Sequence, residues 1–105
     1  MLNLSVKEFA EKISQEGVKI LDVRTPEEVA EGFIDGAQNI DFYREDFDNE
    51  IKSLDKDFTY AIYCRSGKRS GQAAQMMQDA GFLSVFNLDG GMIDWANAGM
   101  PRADN

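Results

Sequence analysis

Cys64 is the lone cysteine of a 105-residue chain, and it is followed directly by Arg65-Ser66-Gly67-Lys68-Arg69-Ser70. The chemistry this combination suits is that of a nucleophilic sulfur. The thiolate is the reactive form, and nearby cations or a helix N-terminus can lower a free-cysteine pKa from about 8.5 to roughly 3.5–7.5. Arg65, Lys68 and Arg69 supply the cations. Gly67 lets the backbone turn through positive φ, so that successive N–H groups can point inward as an anion-binding nest. Residues 58–63 before the cysteine read as a buried strand. Residues 71–81 after it read as a helix, whose first N–H groups lack intrahelical partners and add positive partial charge. A single turn can therefore hold a thiolate and also receive an oxyanion. The bland alternative is a buried, inert cysteine at a strand end. Three cations and a glycine right after the thiol argue against it.

The elements that must position this turn alternate along the chain. Ser5 with Glu8 forms a capping box, and Val6, Phe9, Ala10 and Ile13 share one helical face, with Gly17 ending the helix. Residues 18–23 read as a strand ending in Asp22-Val23. Thr25, Pro26 and Glu28 open a second helix as N-cap, first residue and box partner. Residues 38–41 predict a short strand, 44–54 a helix carrying Phe47, Ile51 and Leu54 on one side, 84–88 a last strand, and 92–98 a closing helix after Gly90-Gly91. Apolar strands separated by helices predict an α/β fold with a mainly parallel central sheet flanked by helices on both faces. Ligands of such sheets bind beyond the carboxyl ends of the strands, where Asp22 and Cys64 both emerge.

Composition narrows the function. The length predicts one domain over residues 1–105, large enough for a core without staples. One cysteine excludes an internal disulfide, and with no histidine the usual zinc spacings cannot be assembled. No metal or cofactor is expected. A net charge of −8 argues against nucleic acid as a partner, whose binding depends on neutralising phosphates. Against that acidic background the Arg65, Lys68 and Arg69 cluster forms a small positive well, suited to a small anion. The acidic run from Glu45 to Glu50 reads as a solvated helix face. No segment has the length of a signal peptide's apolar core or a membrane span, so no membrane partner is expected. A lone working thiol suits a reducing cytoplasm.

Four motifs in order resemble the rhodanese, or sulfurtransferase, domain family from about Leu4 to Pro101. They are Asp22-Val23-Arg24 with Glu27-Glu28; the run from Glu31 to Ile40; the loop from Cys64 to Ser70; and the run from Leu88 to Trp95 with Ala98-Gly99-Met100-Pro101. One departure stands out: Phe33 occupies a position where many relatives carry histidine, which removes any pH-dependent role by analogy there.

The resemblance implies that Cys64 takes the outer sulfur of thiosulfate or a related small anionic donor and becomes a persulfide. The N–H groups of Arg65, Ser66, Gly67, Lys68 and Arg69, with that of Ser70 as a further candidate, would cradle it, with the three cations attracting the donor and stabilising the departing sulfite. A thiophilic acceptor, such as cyanide or a thiol or protein thiol, would then take the sulfur. Arg65 and Arg69 could instead turn to water or pair with Asp22 or Glu31. Ser70 reads as a helix cap. Asp22 and Arg24 read as a structural brace. A monomer or weak dimer is expected. Two other classes compete. Cysteine-dependent phosphatases and arsenate reductases also join Cys, Arg and a helix N-terminus, but the six-residue loop from Cys64 to Arg69 is too tight for a tetrahedral phosphate. A persulfide carrier or regulatory binding module with little turnover is the other.

Overall fold

The computed structural model describes residues 1–104; Asn105, the last residue of the expected domain, lies outside them. Five parallel strands form one sheet: β1 (Leu2–Leu4), β2 (Val18–Asp22), β3 (Gln38–Asn39), β4 (Thr59–Tyr63) and β5 (Val85–Leu88). Their spatial order is β1-β5-β4-β2-β3, and every pairing is parallel. The helices are α1 (Val6–Ile13), α2 (Pro26–Val29), α3 (Phe47–Lys52), α4 (Lys68–Asp79) and α5 (Gly91–Asn97). This is the α/β architecture that the alternation of elements predicts.

The central strand β4 explains why both faces are covered. Its side chains alternate with period two, sending Tyr60, Ile62 and the following Cys64 into one core and Ala61 and Tyr63 into the other. The first core is closed by Phe47 and Ile51 of α3 and by Ala73, Ala74 and Met77 of α4. The second is closed by Phe9 of α1 and by Met92 and Trp95 of α5. Phe9 stands edge-on to both Tyr63 and Trp95, with ring centroids 6.5 and 6.1 Å away. Such edge contacts add about 0.5–1.5 kcal/mol beyond area burial.

Local signals hold where they were strongest. Both capping boxes form, with the Ser5 and Thr25 side chains accepting from Glu8 and Glu28 N–H. Three differences stand against the expected elements. Strand β1 was not expected at all, and it exists because Leu2–Leu4 pairs with Phe86–Leu88 at the sheet edge. The helix expected over residues 44–54 is shorter, Phe47–Lys52, with Arg44 lying before it and paired with Asp46. Helix α4 begins at Lys68, three residues before the expected start, with Gly67 as N-cap at φ +94°. Phe33 forms a backbone bridge with Ala103 of the C-terminal tail, through bonds of 2.9 and 2.7 Å. Among the described residues no helix is long and apolar enough to cross a membrane.

Candidate active site

Strand β4 delivers Cys64 to the carboxyl edge of the sheet, where the chain turns into α4. The residue is fully buried, at 0 % exposure. Three donors converge on its Sγ: the Gly67 N–H at 3.1 Å, the Ser70 N–H at 3.4 Å and the Ser70 hydroxyl at 3.3 Å. Burial pushes the thiol pKa up. The Ser70 hydroxyl and the N–H groups of Ser70, Ser66 and Gly67 outweigh it, so the pKa falls below the ordinary thiol value. The leading stabilisers of the thiolate are therefore hydrogen-bond donors rather than the three neighbouring cations.

Two corrections to the sequence reading follow. Lys68, Arg69 and Ser70 are the first turn of α4, not loop. Ser70 does not cap the helix; Gly67 does, and the Ser70 hydroxyl is free to donate to sulfur. Replacing Ser70 with alanine should shift the pH midpoint of Cys64 alkylation upward and slow alkylation at neutral pH several-fold. Initial rates with iodoacetamide across pH would measure both, and an unmoved midpoint would remove Ser70 from the cradle.

The loop's N–H groups face inward because its carbonyls are held outward. Met92 N–H donates to the Cys64 carbonyl at 2.9 Å, and Ile93 N–H to that of Arg65 at 3.0 Å. Those donors are in the first turn of α5, where N–H groups otherwise lack partners. Asn87 of β5 donates its Nδ2 to the Gly67 carbonyl at 3.1 Å and also to Asn3 Oδ1 at 3.0 Å. Gly91 makes the contact with α5 possible: its φ is +57°, and a Cβ there would lie 2.6 Å from the Cys64 carbonyl oxygen. Sequence reasoning gave Gly91 and Asn87 no part in the site. The Gly90-Gly91 pair was the available signal, since paired glycines mark close backbone approach.

Of the expected substrate-side groups, Arg65, Ser66 and Lys68 are exposed around the turn. Arg69 is engaged elsewhere. Its guanidinium grips Glu28 through two parallel bonds, Nη1 to Oε1 at 2.7 Å and Nη2 to Oε2 at 2.9 Å, and it lies over the Tyr43 ring. The partner is thus Glu28, not Asp22 or Glu31. Asp22 is already committed. It takes two guanidinium nitrogens of Arg24 and the Tyr63 hydroxyl, the closest at 2.7 and 2.6 Å. Arg24 also donates to the carbonyls of Glu28 and Gly32. This buried cluster ties β2, β4 and the segment after α2 into one frame beneath the loop, as the sequence suggests for Asp22 and Arg24. Removing one partner of such a buried pair typically costs about 3–5 kcal/mol. Beside the loop lies a cavity of about 290 Å³, bordered by Arg65, Glu28, Glu31, Met92, Ile93 and Arg102 among others.

Comparison with known proteins points the same way. Residues 5–98 match the rhodanese-like domain family. The chain is 40 % identical over 86 residues to a sulfurtransferase of Allochromatium vinosum, covering 82 % of this chain and 78 % of that one. It is 33 % identical over 96 residues to the thiosulfate sulfurtransferase GlpE of Shewanella oneidensis, covering 91 % and 93 %. The crystal structure of a rhodanese-related protein from Thermoplasma volcanium superimposes over the whole of both chains with a TM-score of 0.88 at 28 % identity. A cysteine turned into its own ring of N–H donors at the edge of this parallel sheet, together with a match across nearly the whole sequence, places the chain in the rhodanese-like sulfurtransferase family.

Proposed function

We propose that this protein moves a sulfane sulfur from thiosulfate, or a related small anionic donor, to a thiophilic acceptor through a persulfide on Cys64. The observation that carries the reading is the convergence of Gly67 N–H, Ser70 N–H and the Ser70 hydroxyl on one buried sulfur. Preorganised donors of this kind act where charge resides during reaction, and a single one in an oxyanion hole is worth about 2.7–4 kcal/mol. The name of the Shewanella relative supports thiosulfate as the donor.

In the first half-reaction the Cys64 thiolate attacks the outer sulfur of thiosulfate. A new S–S bond forms, the old one breaks, and its electron pair leaves with sulfite. The persulfide anion that results keeps one negative charge inside the cradle. Arg65 and Lys68, exposed at the mouth, attract the donor and screen the departing sulfite, while Arg69 is held by Glu28. In the second half-reaction the acceptor attacks the outer sulfur and the thiolate returns. Cyanide would leave as thiocyanate, and a thiol or protein thiol as its persulfide. Ping-pong kinetics is the corresponding fingerprint. This chain's own residues suffice for each step without a metal or organic cofactor.

The test is intact mass of the reduced protein before and after thiosulfate, followed by cyanide. The expected result is a gain of one sulfur, lost on adding cyanide with stoichiometric thiocyanate. A free thiol in a folded protein that gains no sulfur would discard thiosulfate as donor. Loading with slow turnover would mark a carrier.

A further inference from the structure

The mechanism above leaves one strong interaction unused. Glu28 sits at the third position of α2, anchored by the Thr25 N–H at 3.1 Å and the Thr25 hydroxyl at 3.2 Å on its Oε1. From that fixed seat it reaches α4 and grips Arg69 with both oxygens. The pair is largely buried, with the side chains 17 % and 23 % exposed. Glu28 also borders the cavity that Arg65 faces. A carboxylate is thus built in beside the loop and occupies one of its three cations.

We infer that Glu28 is a specificity-determining residue, an internal anion that holds Arg69 and that any incoming oxyanion must compete with. The inference rests on the sulfur-transfer reading for the identity of the donor, but the competition itself concerns anion binding alone. Two observations carry it independently. The bidentate geometry fills the guanidinium edge that would otherwise present two parallel N–H bonds to a sulfonate or sulfate group. The same carboxylate borders the cavity beside the loop together with Arg65, where it adds a negative charge next to that cation. The hydrogen bonds from Arg69 and the Thr25 N–H outweigh burial, which disfavours the charge, and hold Glu28 ionised with its pKa lowered to about 2, so the competition operates throughout the range in which a thiolate enzyme works.

The consequence is a site whose working positive charge is smaller than its sequence suggests. Arg24 is neutralised by Asp22 and Arg69 by Glu28, while no ion pair involves Arg65, Lys68 or Arg102 among the described residues. Such a site gives up oxyanion affinity. Its selectivity then comes from the sulfur-sized cradle, which favours donors that present a sulfur atom over those that present only oxygens.

Inorganic sulfate is the probe, because it carries the charge of the donor and has no sulfur to transfer. Its affinity is read as the concentration that halves the rate of Cys64 alkylation by iodoacetamide, each variant compared with its own sulfate-free rate. Glu28→Gln keeps one oxygen, which can still accept from Thr25 and from Arg69 Nη1, while removing the charge and the second acceptor. It should bind sulfate about fivefold more tightly than wild type, the scale of one partly screened charge, with KM for thiosulfate falling by a similar factor. Arg69→Gln, which leaves Glu28 bare, should bind sulfate more weakly than wild type. The double variant Glu28→Gln/Arg69→Gln should return to within about twofold of wild type. Unchanged or weaker sulfate binding in Glu28→Gln, or a double variant as weak as Arg69→Gln, overturns the inference. If Glu28→Gln does not fold, the double variant against Arg69→Gln decides alone. Wild type that takes no sulfur from thiosulfate would sink the donor assignment, while the order of sulfate affinities would still decide the role of Glu28.

Discussion

A Cys64→Ser protein should take no sulfur from thiosulfate, yield no thiocyanate with cyanide, and melt as a folded protein close to wild type. The loss is expected to be total because serine cannot form a persulfide and its hydroxyl does not ionise in the range reached by a cradled thiol. The fold should survive because a hydroxyl at this position can still accept from Gly67 N–H and Ser70 N–H, so no buried donor is orphaned. The same pair of proteins tests the cradle without any substrate. Cys64 carries a pKa depressed in the folded state, so the native protein has lost a proton that the unfolded chain still holds at intermediate pH. Stability therefore rises with pH between the folded and the unfolded thiol pKa, and this contribution is lost as pH falls through the folded value. Cys64→Ser has no such group. The stability gap between wild type and variant, from urea denaturation at a series of pH values, should be flat in acid and widen in favour of wild type toward alkaline pH. A gap independent of pH would mean that the donors around Sγ do not favour the thiolate, and the nucleophile argument would lose its physical basis.

What could be read from the chain and what could not divides along the distance of the contacts. The capping boxes at Ser5 and Thr25 need only residues three apart, and both form as expected. The strand before Cys64 was legible because residues 59–63 are buried on both faces and carry no turn former. The start of α4 was not legible. Its N-cap is a glycine with no side-chain cap, and it is pinned by Asn87 from twenty residues away, so no local signal marks Lys68 as helical. Strand β1 exists only through pairing with β5, at the other end of the sequence. Arg69 shows the same limit in the site. Local charge put it among the substrate-binding cations, but its partner is forty-one residues away, on a helix whose glutamate reads in the sequence as half of a capping box. The cradle itself was half visible. A cysteine, a glycine and a helix start announce an N–H nest, while the outward pull on the loop carbonyls comes from α5 and leaves no trace near Cys64.

That outward pull is what Gly91→Ala should destroy. A methyl group at position 91 would lie 2.5 Å from the Arg65 carbonyl oxygen and 2.6 Å from both the Arg65 carbonyl carbon and the Cys64 carbonyl oxygen. All three are backbone atoms, so no side-chain rotation relieves the overlap, and either the loop or the first turn of α5 must move. Moving them apart stretches the bonds from Met92 and Ile93 N–H that fix the two carbonyls, and with them the direction of the N–H groups aimed at Sγ. A displacement near 1 Å in a reacting geometry can cost about a hundredfold in rate, and kcat/KM for thiosulfate should fall by at least about that factor. Stability should fall by about 2–4 kcal/mol, since alanine also adopts the left-handed backbone at a cost of roughly 1–2 kcal/mol. Gly17→Ala separates the two effects. Gly17 has φ +78° with nothing within 4 Å of a Cβ, and it precedes β2 at the opposite edge of the sheet. It should lose the backbone share of stability and keep full activity. Equal activity in Gly91→Ala and Gly17→Ala would show that α5 does not hold the loop, and the cradle would then have to be maintained by Asn87 and α4 alone.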